Sequence, residues 1–204
     1  MSAADHWRRR VTDVADLVLW ISRMRQPTLG GGRLVCVDGP AGSGKSTLGE
    51  AICDLAAETG TSALVHLDDL LDGWDGLSQV AETLHRDVLG PLTEGRSGRY
   101  RRYDWHFARF AEEHRVDPVD LLVVDGVGSG ASAYSSLVTT LVWVDAPAEL
   151  RLARGIARDG EALRREWVRW MRAEEALFGR ERTRERADAI VDGTGEADHA
   201  VVLA

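Results

Sequence analysis

The sequence contains almost no lysine: 24 of its 25 long cationic side chains are arginines, and the exception is Lys45. Cysteine is nearly as scarce. Cys36 and Cys53 are the only two and lack a C-x-x-C spacing, which excludes a disulfide framework and a cysteine-rich zinc site. No run of 18 apolar residues occurs, and the N-terminus lacks the apolar segment and cleavage site of a secretory leader. These absences leave a cytoplasmic enzyme or a cytoplasmic binding protein.

An excess of positive charge is also missing. The 33 acidic residues outnumber the 25 basic ones, and the formal net charge of −8 speaks against broad binding of nucleic acid or anionic membranes. Any site for a polyanion must therefore be local. With 204 residues, 44% of them hydrophobic, the chain is long enough for one well-buried core, and we expect a single domain over residues 1–204.

The pattern of apolar residues predicts an α/β fold. An amphipathic helix is expected within residues 1–29, and after it short β-rich runs alternate with helical stretches. The runs are apolar nearly throughout, as in the strands of a parallel sheet that helices cover on both faces. We therefore predict a three-layer sandwich with a five-stranded, mostly parallel sheet, its strands lying at 33–38, 62–68, 120–126, 137–145 and 188–193.

The segments between these strands are expected to be loops and helices. Residues 92–100 carry turn residues and charges, residues 126–132 carry small residues only, and both are predicted loops. Residues 147–187 have a helical pattern with many charges and one apolar side. We expect a core at residues 33–193, with 147–187 as its helical lid.

Residues 39–47, GPAGSGKST, match the pattern GxxxxGK[ST] between a predicted strand and a predicted helix. This context is typical of a P-loop, in which glycines let backbone amides turn inward and form an anion-binding nest at the helix N-terminus. A glycine-rich turn that matches by chance is the alternative. We expect ATP to bind along the whole segment, at Gly39, Pro40, Ala41, Gly42, Ser43, Gly44, Lys45, Ser46 and Thr47.

The P-loop interpretation explains the single lysine. Lys45 is expected to reach the β- and γ-phosphates, and the Ser46 hydroxyl to ligate Mg²⁺. A tight loop accommodates a compact ammonium better than the planar fork of a guanidinium. We therefore expect that arginine cannot serve at this position.

Acidic residues end two other predicted strands, and open α/β sheets bind ligands beyond the carboxyl ends of their strands. Asp68 and Asp69 follow the second strand, where a carboxylate can accept the proton of an attacking hydroxyl or hold the metal. Asp125 ends the third strand, in the position of a Walker B acid that binds metal directly or through water. Turn-forming aspartates are the alternative at both places.

Arginines on the predicted lid share one helix face. Arg151, Arg154 and Arg158 recur at spacings of three and four. Three guanidinium groups on one face repel one another unless an anion lies between them, which favours a lid that closes over a phosphate. The alternative is a surface lattice of ion pairs with Glu149 and Asp159.

Residues 99–110, RYRRYDWHFARF, combine arginines with aromatic rings. Such a pattern can stack the bases of a nucleic acid, but the acidic net charge favours a pocket for one aromatic ring, with Trp74 and Trp105 as its walls. Ordinary core packing of these rings is the alternative.

These segments together resemble the uridine kinase-like branch of the P-loop small-molecule kinases, over most of residues 33–193. The matching segments are VDGPAGSGKSTL, LDD, YDW, VVDG and RLARGIARD. The resemblance implies that Asp68, in preference to Asp69, is the catalytic base. It also implies phosphate contacts from Arg154 and Arg158, a contact of Arg151 with the acceptor sugar, and Tyr103 beside the base. Together with Asp69 and the candidate walls Trp74 and Trp105, these last two residues form the expected acceptor pocket.

The chain departs from the family pattern at three points. Asp125 stands where the family usually has Glu. The family's ribose-binding acid has only Asp75 of GWDGLSQV as a counterpart. A histidine expected after the YD pair is out of register, since His106 comes too early and Ala108 occupies its place. These departures concern nucleoside specificity and leave the catalytic core intact.

The sequence therefore predicts a kinase that uses ATP and Mg²⁺ to phosphorylate a hydroxyl of a small molecule, in first place a nucleoside such as uridine or cytidine. No nucleic-acid or membrane partner is expected. A nucleoside monophosphate is the alternative acceptor, its phosphate held by Arg99, Arg101 or Arg102. Two rivals are a regulatory NTP-binding protein without catalysis, disfavoured by the LDD segment, and a nucleic-acid-dependent ATPase, disfavoured by the net charge.

Overall fold

The computed structural model describes residues 3–195 and 201–203, and this part of the chain forms two β-sheets flanked by helices. Its strands are β1 Arg33–Asp38, β2 Ser62–His66, β3 Gly98–Asp104, β4 Arg109–Val116, β5 Leu121–Asp125, β6 Thr140–Asp145, β7 Ala189–Asp192 and β8 Val201–Leu203. The main sheet has the order β2, β5, β1, β6, β7, β8, with β8 alone antiparallel to its neighbour. β3 and β4 pair as a separate antiparallel hairpin.

The prediction of a mostly parallel sheet within an α/β fold is confirmed: the five predicted strands are parallel, and β8 adds a sixth, antiparallel strand that was not predicted. The first predicted strand has the bounds of β1, and β2, β5, β6 and β7 are slightly shorter than predicted. The predicted loop at 92–100 is wrong at its end, because β3 already begins at Gly98. The hairpin was not predicted, since buried and exposed positions roughly alternate along β3 and the exposed ones are arginines. Such strands lack the continuous apolar run of the main sheet.

The helices alternate with the strands of the main sheet, as a parallel arrangement requires. A π-helical turn, His85–Leu89, joins the short helices Val80–Leu84 and Gly90–Thr93, and a turn of 3-10 helix at Glu161–Leu163 joins the helix Ala148–Asp159 to the helix Arg164–Glu181. The helices are α1 Ala3–Arg23, α2 Lys45–Ala57, α3 Val80–Leu84, α4 Gly90–Thr93, α5 Ala148–Asp159, α6 Arg164–Glu181 and α7 Thr183–Arg186. Within the described ranges, no helix combines the length and the apolar character that a membrane span needs.

Two apolar clusters lie on opposite faces of the main sheet. Val35 and Val37 of β1 pack with α1 and α2, whereas Leu34 and Cys36 pack with α3, α4 and α6. This split follows from the period of two along a strand, which points successive side chains to opposite faces. The sheet is therefore the middle of three layers. The carboxyl ends of the neighbouring strands β2, β5 and β1 lie side by side at the same end of the sheet.

Candidate active site

The loop between β1 and α2 has a backbone that favours glycine at three positions. Gly39, Gly42 and Gly44 have φ angles of 138°, 79° and 104°. A Cβ on Gly39 would lie 2.2 Å from the carbonyl oxygen of Val144 in β6, and one on Gly42 would lie 2.7 Å from that of Arg151 in α5. The loop is therefore wedged between β6 and α5, and it leads into the N-terminus of α2, where free amides attract anions.

Lys45 is the first residue of α2, and its side chain folds back over the loop. The residue is only 7% exposed, and its Nζ donates a hydrogen bond of 2.9 Å to the carbonyl oxygen of Pro40. In the same loop, the buried hydroxyl of Ser43 has no hydrogen-bond partner within the described residues. The ammonium thus lies inside a closed loop, where a guanidinium is too wide to take its place.

Asp125, the last residue of β5, connects the P-loop to β2. Its Oδ2 accepts a hydrogen bond of 2.6 Å from the Ser46 hydroxyl, and its Oδ1 lies 2.6 Å from Nδ1 of His66. This hydrogen bond to a buried carboxylate raises the pKa of His66 to about 9. The imidazole of His66, the carboxylate of Asp125 and the hydroxyl of Ser46 therefore form a chain of hydrogen bonds at the carboxyl ends of β2 and β5.

The donor set at this row fits Mg²⁺. This ion prefers oxygen ligands and is commonly held by one or two protein groups together with phosphate oxygens and waters. Ser46 and Asp125 bring two such oxygens within 2.6 Å of each other. Over residues 3–195 and 201–203, no cluster of three or more His, Cys, Asp or Glu side chains could hold a metal by itself. The residues therefore suit a metal that arrives with a nucleotide.

Asp68 lies in a short 3-10 turn, Leu67–Asp69, that follows β2. Its side chain is exposed to solvent, and neighbouring protein atoms desolvate it in part. This desolvation raises the pKa of Asp68; the charge of Lys45 opposes the rise, Asp125 adds to it and Arg158 opposes it. Asp68 is thus a carboxylate of enhanced basicity that faces the cations of the P-loop and of α5.

An aromatic wall adjoins Asp68 and Asp69. The ring centroids of Trp74 and Trp105 are 5.5 Å apart, and those of Tyr103 and Trp105 are 5.3 Å apart, both edge to face. The indole N–H of Trp105 donates a hydrogen bond of 3.2 Å to the backbone carbonyl of Asp68. Tyr103 is buried, whereas 41% of Trp105 is exposed. The structure therefore brings together five of the predicted site residues.

Arg151 does not join this group, and its predicted contact with the acceptor needs correction. Its guanidinium is 11% exposed and donates to Oε1 of Glu174 at 2.7 Å and to the carbonyl oxygen of Ala41 at 3.3 Å. The Ala41 amide in turn donates to Oε2 of Glu174 at 2.8 Å. The side chain of Arg151 therefore binds the P-loop and α6, and the negative charge that balances its guanidinium is the carboxylate of Glu174 on α6.

Arg154 is also tied to the protein backbone. It donates hydrogen bonds of 3.1 Å and 3.0 Å to the carbonyl oxygens of Gly42 and Gly193, joining the P-loop to the segment after β7. In this arrangement the guanidinium of Arg154 binds the carbonyl oxygens of Gly42 and Gly193. Both bonds come from Nη1, so the guanidinium has further donors, and the phosphate contact from Arg154 stays a prediction.

Arg158 is an arginine of α5 whose charge acts on Asp68. It pairs with Asp159 at 2.7 Å, which raises its pKa, and Asp68 adds a smaller contribution in the same direction. Its guanidinium lies 5.6 Å from the Trp167 ring centroid, and two thirds of its side chain is exposed. The alternative ion pair with Asp159 is thus present in the structure, and the phosphate contact from Arg158 stays a prediction that this exposed side chain allows.

Other predicted residues lie outside this site. Asp75 is exposed and pairs with Arg169 at 2.5 Å, beside a cavity of about 200 Å³ between the turn Gly73–Ser78 and α6. The arginines of the hairpin have partners in the hairpin itself: Arg99 pairs with Glu113 and Arg102 with Glu112, each at 2.6 Å, while Arg101 donates to backbone carbonyls.

Sequence reasoning missed His66 and Glu174. His66 had a usable signal, because it lies near the carboxyl end of the predicted strand 62–68, as Asp125 does in the predicted strand 120–126. Glu174 had none, since it lies on a different helix from Arg151 and its contact depends on how α5 packs against α6.

No family model and no curated protein matches the chain. Solved structures do match it. A possible uridine kinase from Bacillus stearothermophilus aligns with a TM-score of 0.62 and 18% identity, over 90% of this chain and 97% of that one. A candidate fructose transport system kinase from a Silicibacter species aligns with a TM-score of 0.57 and 20% identity, over 81% of this chain and 94% of that one. At these identities the likeness establishes the fold, and it confirms the predicted resemblance at that level.

Proposed function

We propose, starting from the fold shared with these kinases, that this protein transfers the γ-phosphoryl group of ATP to a hydroxyl of a small molecule. One observation carries the proposal: the exposed carboxylate of Asp68 follows β2 directly, next to the strand end where Ser46 and Asp125 form their hydrogen bond, and the charges of Lys45 and Arg158 act on it. A protein that only binds nucleotide needs the P-loop but no base at this place. We take residues 33–193 as one catalytic core and 147–187 as its lid.

Each residue has a role in the proposed reaction. The acceptor hydroxyl gives its proton to the carboxylate of Asp68 while its oxygen bonds to the γ-phosphorus, and the bond from that phosphorus to the bridging oxygen breaks to leave ADP. Lys45 and the P-loop amides stabilise the charge on the phosphates, and Arg158 adds positive charge from the lid. Mg²⁺, held by Ser46 and Asp125, would neutralise charge that develops on the phosphate oxygens.

A nucleoside is the acceptor that the aromatic wall supports best. The exposed Trp105 and the partly buried Trp74 offer ring surfaces near the proposed base, with the buried Tyr103 packed behind Trp105, and stacking of a nucleobase on such rings contributes about 1–3 kcal/mol. A hexose, the substrate class in the name of the second matching structure, has no planar ring to stack. A nucleoside monophosphate is less favoured, because Arg99 and Arg102 are already paired within the hairpin.

The experiment offers nucleosides, nucleoside monophosphates and hexoses side by side with ATP and Mg²⁺, and follows ADP release. We expect release to depend on a nucleoside and to fall by about 10²–10⁴-fold in Asp68→Asn. Nucleotide binding, measured separately with a non-hydrolysable ATP analogue, should survive in this variant. Turnover of monophosphates only would overturn the nucleoside assignment, and unchanged turnover in Asp68→Asn would overturn the assignment of the base.

A further inference from the structure

His66 makes a contact that the proposed reaction does not use. It ends β2, and its register partner in the neighbouring parallel strand is Asp125, which ends β5. The ring approaches Oδ1 of Asp125 at 2.6 Å while the Ser46 hydroxyl donates to Oδ2. Because each oxygen of the carboxylate has its own partner and the residue is only 2% exposed, the orientation of the carboxylate is fixed.

No second basic side chain is available for this task among the described residues. Within the described part of the chain, the hydrogen bonds and ion pairs of Asp125 go to Ser46 and His66. Two further carboxylates, Asp69 after β2 and Glu50 on α2, act on the imidazole. Elsewhere in the chain arginines supply nearly all positive charge. At this place the imidazole of His66, which is shorter and more rigid than an arginine side chain, makes the hydrogen bond between the ends of β2 and β5.

We infer that His66 is a positioning residue for the metal site, and this inference rests on the proposed function. His66 donates a hydrogen bond from Nδ1 to Oδ1 of Asp125 and so keeps Oδ2 next to the Ser46 hydroxyl. Oδ2 of Asp125 and Oγ of Ser46 are then both available to the Mg²⁺ of the bound nucleotide. Hydrogen bonds that orient a metal-binding carboxylate are typically worth 10–100-fold in metal affinity or activity, by general experience with metal sites.

Three variants separate the hydrogen bond from the volume of the ring. His66→Leu removes the donor, His66→Asn places an amide N–H donor near the position of Nδ1, and His66→Gln carries the same amide farther along the side chain. Since 40% of the His66 side chain is exposed, we expect these changes to be tolerated by the fold.

The experiment titrates Mg²⁺ while the binding of a non-hydrolysable ATP analogue is measured by calorimetry, with a parallel titration in chelator. For His66→Leu and His66→Gln we expect the Mg²⁺ concentration at half-maximal binding to rise by about 10–100-fold, with metal-free binding unchanged. His66→Asn should retain most of the wild-type metal affinity. In turnover, the same two variants should need more Mg²⁺ while the KM for the acceptor stays constant.

A double-mutant cycle tests whether His66 acts through Asp125. In the background of Asp125→Asn, adding His66→Leu should cause no further loss of Mg²⁺ affinity. A further loss as large as in the wild-type background would overturn the inference, as would a lower melting midpoint with an unchanged Mg²⁺ requirement. If the wild-type protein binds the analogue without any dependence on Mg²⁺, or transfers no phosphoryl group, the proposed function itself fails.

Discussion

The buried ion pair beneath the P-loop leads to a quantitative stability prediction. Glu174 is 1% exposed and accepts hydrogen bonds from the Ala41 amide and the Arg151 guanidinium. Burial raises the pKa of Glu174 despite the opposing effects of the Ala41 hydrogen bond, Lys45 and Arg151. Replacing Glu174 by Leu removes the carboxylate, leaves Arg151 uncompensated in a site that is 11% exposed, and deprives a loop amide of its partner.

The expected cost follows from these losses. Breaking a buried pair by removing one partner typically costs about 3–5 kcal/mol. In a chain of this length 1 kcal/mol corresponds to about 2–4 °C in the melting midpoint, so we expect a drop of roughly 6–20 °C. The double variant Glu174→Leu with Arg151→Met removes both charges; the Ala41 amide loses its partner, at about 1–3 kcal/mol, and the carbonyl oxygens of Ala41 and Ala146 lose the donor that Arg151 supplied. The double variant should therefore be more stable than Glu174→Leu alone.

Urea denaturation of the wild type, the two single variants and the double variant measures this coupling. Glu161→Ala is the matched control, because it breaks a pair with Arg164 on the solvent-exposed side of the lid and should leave the midpoint unchanged. A loss in Glu174→Leu no larger than in Glu161→Ala would refute the reasoning. So would a double variant whose loss equals the sum of the two single losses.

Three further predictions concern the loop, the base and the lid. Lys45→Arg should lower turnover as much as Lys45→Met, by roughly 100-fold, because the fork does not fit over the loop; near wild-type kinetics would contradict this. Since the base must be ionised and desolvation raises the pKa of Asp68, kcat/KM should fall with decreasing pH at a midpoint above 3.8, measured across the acid range with a saturating donor. Gly155→Ala should destabilise the protein by about 1–3 kcal/mol in urea, because its Cβ would lie 2.4 Å from the Trp167 ring between α5 and α6.

The sequence was sufficient for the parts of the fold that rest on local patterns. The five parallel strands were predictable because strands buried on both faces are apolar throughout, and the P-loop because its spacing lies between a strand and a helix. The hairpin β3–β4 was not, because the outward positions of β3 carry arginines whose partners, Glu112 and Glu113, lie on the facing strand. Cross-strand pairing of this kind depends on register, which a single strand's sequence does not reveal.

The lid arginines illustrate the same limit in the candidate site. Their spacing correctly places Arg151, Arg154 and Arg158 on one helix, but spacing does not reveal what that face meets. In the structure it meets loop carbonyls and Glu174 for the first two residues, and only Arg158 acts on Asp68. Repulsion among neighbouring cations indicates that an anion or a dipole lies near them. Whether that partner belongs to a ligand or to the protein depends on the tertiary structure, which the spacing of the arginines does not reveal.

The central claim is that the P-loop and Asp68 together move a phosphoryl group to a hydroxyl. Mass spectrometry of the products formed from ATP, Mg²⁺ and a nucleoside measures this most directly. We predict that the nucleoside gains one phosphoryl group, that ADP forms in equal amount, and that both products are strongly reduced in Asp68→Asn. ADP that appears only with free inorganic phosphate, or a phosphorylated nucleoside formed equally by Asp68→Asn, would contradict the account.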